Sequence, residues 1–333
     1  MKRLRCRAVF APVFLFGAPV FLFGATTLPA QGSVGSEGGA FLLRPVGARA
    51  VGLGQAVVAR RDGSEGLWWN PAALVGATRR EVSIHHSQDF FATGDALTLI
   101  IPSTLLGVFA IAADLQNYGE QENTTDPTVP PTGTVLTRSF VLTASYAAPI
   151  GDRAATGLAF KVVQMRVDCT GPCDFPNEVA QTFAIDAGAQ LEVGGSRRVV
   201  LGASVRNMGL ALQVQDSPQA DPLPTRVQLG VLYRYPMPER YAADAGLNVS
   251  VDLTDGLHID NPLPRVGAEL VWQKRAFLRG GYVFDSAVSE AGGPTLGLGF
   301  SRNNLVIDLA RVFTGFSADA GQAPTFLSVR LAF

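Results

Sequence analysis

The sequence predicts an all-β fold: a 14-stranded antiparallel transmembrane β-barrel preceded by a plugging segment. Three observations predict it. From about residue 80 onward apolar residues recur at every second position, the period of a strand. The connections between these runs alternate between short and long, as in barrels with short periplasmic turns and long outer loops. Finally, 47% of the 333 residues are hydrophobic and only 17% charged, with 36 glycines and a mean hydropathy of +0.21. Soluble domains carry about 25% charge, and disorder requires low hydrophobicity with high net charge. A net charge of −1 and a pI near 6.3 give no electrostatic reason to expect nucleic acid as a partner.

Residues 1–30 read as a signal peptide. Lys2, Arg3, Arg5 and Arg7 form a basic start, residues 8–30 carry no charge, and Leu28-Pro29-Ala30 places a small residue before Gln31. A membrane anchor is the rival reading, but Pro12, Pro19 and two glycines interrupt the stretch. Cys6 precedes the apolar run, which argues against lipoprotein-type acylation. Export leaves Cys169 and Cys173 in an oxidising compartment, where they are a candidate disulfide tightening a loop. Without histidine neighbours they make a poor zinc site.

Residues 96–113 are uncharged for eighteen positions, the lower limit for a spanning helix. Pro102-Ser103 and Gly107 break the run, so two strands and a turn are expected. The fourteen expected strands are 80–88, 94–101, 105–116, 136–149, 154–167, 179–193, 197–210, 223–235, 240–254, 263–272, 275–285, 293–301, 304–313 and 324–333. In 182–193, Phe183, Ile185 and Leu191 share one face and Thr182, Asp186 and Glu192 the other. A sandwich alternates too. The strands here, however, often reach the 9–11 residues needed to cross a bilayer at a tilt, and their polar faces are rich in glycine and ionisable groups, as a lumen requires. Leu327, Val329, Leu331 and terminal Phe333 form one apolar face, similar to the C-terminal signal presented to the barrel-assembly machinery.

Residues 31–79 do not alternate. A fourteen-stranded barrel is too wide for its own side chains to fill, and a segment rich in Gly and Ala can approach its wall closely. Within it lie Gly47-Ala48-Arg49-Ala50-Val51-Gly52-Leu53-Gly54-Gln55-Ala56 and, some fifteen residues later, Trp69-Asn70-Pro71-Ala72. Asn70 before Pro71 reads as a helix start. With the barrel layout, these motifs resemble the PorV/PorQ family of outer-membrane proteins, relatives of the FadL long-chain fatty acid transporters. The resemblance covers the mature chain, with Ala73 standing where the family usually has Gly. It implies an N-terminal hatch carrying Gly47, Arg49, Gly52, Gly54, Trp69, Asn70, Pro71 and Ala72. Gly52-Leu53-Gly54 is also a fragment of a dinucleotide fingerprint, but Val57 replaces the third glycine and no βαβ unit follows.

Chemistry is sparse. His85 and His86 are adjacent on a strand and so face opposite sides, which rules out shared ligation of one metal. No nucleophile elbow, His-Glu-x-x-His or P-loop occurs, and no cofactor, metal or enzymatic activity is expected. Asp186, Glu192, Asp244, Asp252, Glu269 and Asp308 are expected to face inward and pair with Arg206, Arg226, Arg265 and Arg279. Tyr233, Tyr235, Trp272, Tyr282 and Phe284 are expected outward, as an aromatic girdle. Residues 105–113 are apolar on both faces with Gly107 inside, and FadL-type barrels are known for a side opening at an irregular early strand. Gly107, Val108 and Phe109 are therefore a candidate lateral opening.

The resemblance implies two functions. One is accessory to type IX-like secretion: receiving exported cargo proteins and passing them to a surface-attachment enzyme, with loops 117–135 and 216–224 facing the cargo. The alternative is FadL-like transport of hydrophobic small molecules such as fatty acids, with inward Val141, Val163 and Leu232 lining a pocket. Both place the chain among outer-membrane lipid in a Gram-negative-type bacterium.

Overall fold

The computed structural model describes residues 37–61, 63–123, 133–171, 177–214, 220–257, 259–284, 292–314 and 323–333. The expected signal peptide and Cys173 lie outside them. Sixteen strands are found among the described residues: β1 (Glu81–Gln88), β2 (Thr93–Ser103), β3 (Gly107–Asn123), β4 (Gly133–Ile150), β5 (Ala154–Thr170), β6 (Glu178–Val193), β7 (Val199–Gly209), β8 (Leu212–Val214), β9 (Ala220–Asp221), β10 (Arg226–Tyr235), β11 (Ala245–Asp255), β12 (Leu263–Trp272), β13 (Ala276–Val283), β14 (Gly293–Arg302), β15 (Leu305–Val312) and β16 (Thr325–Ala332). Fourteen of them, β1–β7 and β10–β16, pair antiparallel around a closed wall. β1 joins β16 from Glu81↔Ala332 to Gln88↔Thr325, and β5 joins β6. β8 and β9 are a small ribbon attached to β6.

Alternation dictates the two faces. On β14, Leu296, Leu298 and Phe300 are each more than half exposed, whereas Thr295 is 1% exposed. A wall with apolar side chains outward, and no edge strand left unpaired, satisfies every ladder hydrogen bond within the hydrocarbon. Among the described residues no helix is long and apolar enough to cross a membrane; the strands make the crossing. Tyr233, Tyr235, Trp272, Tyr282 and Phe284 all stand on the outer face.

The strands differ from expectation where the alternation fades. Residues 117–135, expected as a loop, are strand up to Asn123 and again from Gly133, with a bulge between Asn117 and Glu120 accommodated by Gly119 at φ +73°. Residues 240–242, expected in a strand, belong instead to a single helical turn, Glu239–Ala242, before β11. Asp244, expected in the lumen, is exposed on that connection and accepts a hydrogen bond from Gln273. The candidate opening at 107–113 is absent: β3 pairs without interruption with β2 from Gly107 to Asn117 and with β4 from Val108 to Asn117. Gly107 is a turn residue at φ +103°.

Candidate functional site

The inner face of the wall meets residues 37–79, the non-alternating stretch. This segment is anchored at the long-loop end, where Arg226 pairs with Glu37 at 2.6 Å and Arg44 with Asp89 at 2.7 Å. At the short-turn end Arg61 donates to the Arg153 carbonyl at 2.9 Å, and the chain then enters β1. Short helical pieces (Ala40–Leu43, Ala48–Gly52, Gly63–Trp68 and Pro71–Gly76) are joined by irregular backbone. Such backbone must find partners when buried, and the wall supplies them. Ser328 Oγ accepts from the Ala48 N–H at 2.8 Å, Thr295 Oγ1 accepts from Gly54 at 3.1 Å, and Asp252 Oδ2 accepts from Val58 at 2.9 Å.

The glycines of the first motif are where the segment touches the wall backbone. A Cβ at Gly54 would fall 2.5 Å from the Val266 carbonyl oxygen, and one on the facing wall residue Gly281 would fall 2.3 Å from the Gly54 nitrogen. Gly52 abuts Gly297 in the same way, with 2.9 Å from a built Cβ to the Gly297 Cα. Gly47, at φ +97°, leaves room for the Glu65 carboxyl, which accepts from the Ala50 N–H at 3.1 Å.

Arg49 leads into a buried chain of charges. It donates twice to Glu269, both at 3.1 Å, and Arg60 reaches the same carboxylate at 2.5 Å. Arg279 bridges Glu269 and Asp308 at 2.7 Å each, and Arg330 closes on Asp308 at 3.0 Å. The two carboxylates thus tie the segment's arginines to β12, β13, β15 and β16. Of the other expected pairs, Asp186 takes Lys161 at 2.6 Å rather than an arginine. Glu192 meets Arg61 and Arg234, and Arg265 donates to Gln55 at 2.6 Å. A bulge at Asp186, where Asn207 turns left-handed at φ +59°, aims Arg206 at the second motif. Its guanidinium donates to the Trp68 carbonyl at 3.0 Å and lies 4.9 Å from the Trp69 ring.

In that motif Asn70 caps the turn that Pro71 begins. Its Oδ1 accepts from the Ala72 N–H at 3.0 Å, and its Nδ2 donates to the carbonyls of Val58 (2.7 Å), Ala189 and Ala203 (both 3.3 Å). Pro71 and Ala72 press on Gly157 of β5. Replacing Asn70 with Ala removes a cap worth about 1 kcal/mol and strips buried carbonyls of a donor. A loss of about 2 kcal/mol is expected, read as a lower urea midpoint and faster proteolysis of the segment.

Trp68, Trp69, Leu67 and Leu74 pack against Ala96, Ile100, Val108, Ala110, Ala112 and Ala147 of β2–β4. This explains why residues 105–113 are apolar on both faces: one side meets lipid and the other meets tryptophan. Toward the long-loop end Phe41 clusters with Val141, Val163, Leu212 and Leu223, while Leu232 packs with Ala59 and Val200. A cavity of about 30 Å³ lies among Phe41, Trp68, Trp69, Val141, Lys161 and Arg206, room for about two waters.

Burial pushes the Glu65 carboxyl up to about 7. Because this lies above the unfolded value, the folded state holds the proton more tightly. Its contribution to stability is full below about pH 4 and is lost as the pH rises through 7. Protection of the segment from protease should therefore fall between pH 5 and pH 8, and Glu65→Gln should flatten that dependence.

His85 is buried between Ser83 and Ser328, at 3.0 and 2.8 Å, while His86 faces outward to Asp95. Among the described residues no group of three or more His, Cys, Asp or Glu is placed to hold a metal. Cys169 is in a disulfide. Leu327 and Leu331 point outward, Val329 is partly covered, and the Phe333 N–H donates to the Arg80 carbonyl. The residues that the sequence reading missed are Arg60, Glu65, Lys161, Thr295, Ser328 and Arg330. Lys161, Thr295, Ser328 and Arg330 stand on the inward face of an alternating strand, which was the available signal; Arg60 and Glu65 lie in the polar run from Arg60 to Glu65, where nothing local marks them as buried.

No protein-family model matches the sequence, and no curated protein does. Solved structures match in fold. The Ralstonia pickettii toluene transporter TbuX aligns with a TM-score of 0.58 at 12% identity, covering 88% of this chain and all of that one. The CymD monoaromatic hydrocarbon channel gives 0.58 at 11%, covering 86% and 97%. A Pseudomonas aeruginosa FadL homologue gives 0.52 at 13%, covering 87% and 99%. At these identities the likeness is one of fold.

Proposed function

We propose that this chain is an outer-membrane channel for small hydrophobic molecules, with residues 37–79 as its hatch. The carrying observation is how unevenly the segment is held. Charges and backbone hydrogen bonds fix it to β11–β16, whereas against β2–β4 it makes mainly apolar contacts of tryptophan on alanine, with hydrogen bonds among the described residues only at the long-loop end, where Gln116 meets Arg44 and the Phe41 carbonyl. Movement along the face where Trp68 and Trp69 meet alanine breaks no ion pair among the described residues. It offers an apolar guest a path between segment and wall, with the Phe41–Trp68–Trp69 cavity at its upper end. The fold shared with two proteins described as hydrocarbon transporter or channel, along nearly their whole length, supports the same reading.

Nothing in the structure favours the secretion role. Of the surfaces it assigned to cargo, the described parts of 117–135 are mostly strand, and Leu223 and Pro224 are buried in the barrel mouth rather than presented outward. The test is uptake of radiolabelled toluene and of oleate, at concentrations where the outer membrane limits entry, by cells lacking their own hydrophobic channels. Expression of this chain should accelerate one or both several-fold. Unchanged rates for both, with exported proteins co-purifying from the membrane, would replace the proposal with the secretion role.

A further inference from the structure

We propose that the short-turn end of the barrel binds the phosphate headgroups of anionic phospholipids through a ring of cations. Arg80 immediately precedes β1 and Arg198 precedes β7, Lys274 and Arg275 make the β12–β13 turn, and Arg302 ends β14. All five are exposed, and none hydrogen-bonds or ion-pairs through its side chain with any described residue. The acidic groups here are few. Asp152 is taken up by Arg153 and Arg197, and Glu239 and Asp244 lie on the same connection as Arg240. The opposite end carries Asp89, Glu120, Glu122, Glu178, Asp255 and Asp260 at the corresponding strand ends, and its Arg44, Arg138, Arg166 and Arg226 are each paired with a carboxylate, so unpaired cations concentrate on the short-turn rim.

Height and circumference decide what the ring fits. Outward aromatic residues close the strands just inside it: Tyr235 ends β10, Trp272 ends β12, Phe300 pairs with Ala276, and Phe333 follows β16. Cations one to three residues farther out, at about 3.3 Å per residue, stand at headgroup depth while the aromatics sit at the interface. The short turn between β2 and β3 lacks a cation, and there Leu105 is 92% and Leu106 63% exposed, as suits a turn dipping into acyl chains. A protein partner covers one patch. Cations distributed over several turns around the rim, beside lipid-facing aromatics, match a leaflet. Polybasic segments near an anionic surface gain from each Lys or Arg, and arginine forks suit phosphate.

The test is native mass spectrometry of the full chain after exchange into detergent with equal phosphatidylglycerol and phosphatidylcholine. The intact protein should retain phosphatidylglycerol at least about tenfold over phosphatidylcholine, and the preference should collapse in 1 M NaCl, where the Debye length is about 3 Å. Substituting Arg198, Lys274, Arg275 and Arg302 together with Gln should bring the ratio near unity, with folding confirmed by heat-modifiable gel mobility. Added inorganic phosphate at millimolar concentration should leave lipid retention unchanged; if it displaces the lipid fully, the ring is a free-phosphate site and the proposal fails. Equal retention of both lipids by the intact chain would also overturn it, and capture of an acidic periplasmic protein in their place would assign the ring to that partner. Should the quadruple variant not fold, the salt response of the intact chain still decides.

Discussion

Removing residues 37–76 from the mature chain is expected to turn a closed barrel into an open pore. An eight-stranded barrel is just wide enough for side chains to fill, and fourteen strands enclose more than they can. With the segment in place, two cavities beside it are about 30 and 10 Å³, room for about two waters at most in each. Its removal bares Asp252, Glu269, Arg279 and Asp308, now buried, to water that solvates them readily, so the wall itself should survive. Planar-bilayer conductance should rise at least about tenfold over the intact chain, and cells should admit hydrophilic antibiotics that they otherwise exclude. A truncated barrel that folds but stays closed would sink the assignment of these residues as the hatch. Gly281→Val should act in the same direction, because its Cβ would stand 2.3 Å from the Gly54 nitrogen with only backbone to push aside.

The wall was legible because lipid outside and a packed lumen inside impose the same period of two. Phe183 and Ile185 against Thr182 and Asp186 declare the faces of β6 without any neighbour in view. The signal fails above the bilayer. At Glu120, Gln121 and Glu122 both faces meet water, so nothing alternates, yet the ladder to β4 continues. It also fails where a wall residue faces another apolar surface. Residues 105–113 are apolar on both faces, and only the position of Trp68 and Trp69 shows that Val108, Ala110 and Ala112 face the segment and not lipid. Within the segment, the local half of Asn70's role was readable from Pro71 beside it. Its bonds to Ala189 and Ala203, more than a hundred residues away, depend on where the folded segment rests. The charges followed the same rule. Which carboxylates face inward follows from strand period, but Glu269 finds Arg49 and Arg60 rather than the wall arginines alone, because partners about two hundred residues apart are chosen by register and docking.

Arg279→Ala should be among the most damaging single substitutions in the wall. The side chain is fully buried and bridges Glu269 and Asp308, both also inaccessible to water. Desolvating three charges is tolerable only while each is paired, and deleting one member leaves the others in a medium that screens poorly, at a cost of about 3–5 kcal/mol. The loss should fall unequally. Glu269 keeps Arg49 and Arg60, whereas among the described residues Asp308 keeps only Arg330, at 3.0 Å. Asp308→Asn in the Arg279→Ala background should therefore recover part of the stability, while Glu269→Gln should recover none and should also loosen residues 37–79 from the wall. Arg279→Lys should fall between, since one ammonium cannot span two carboxylates as a fork does. Urea unfolding in detergent, followed at constant slope, checks the series. A loss under about 1 kcal/mol for Arg279→Ala, the range of exposed ion pairs, would mean that water reaches this network and that it does not hold residues 37–79 to the wall.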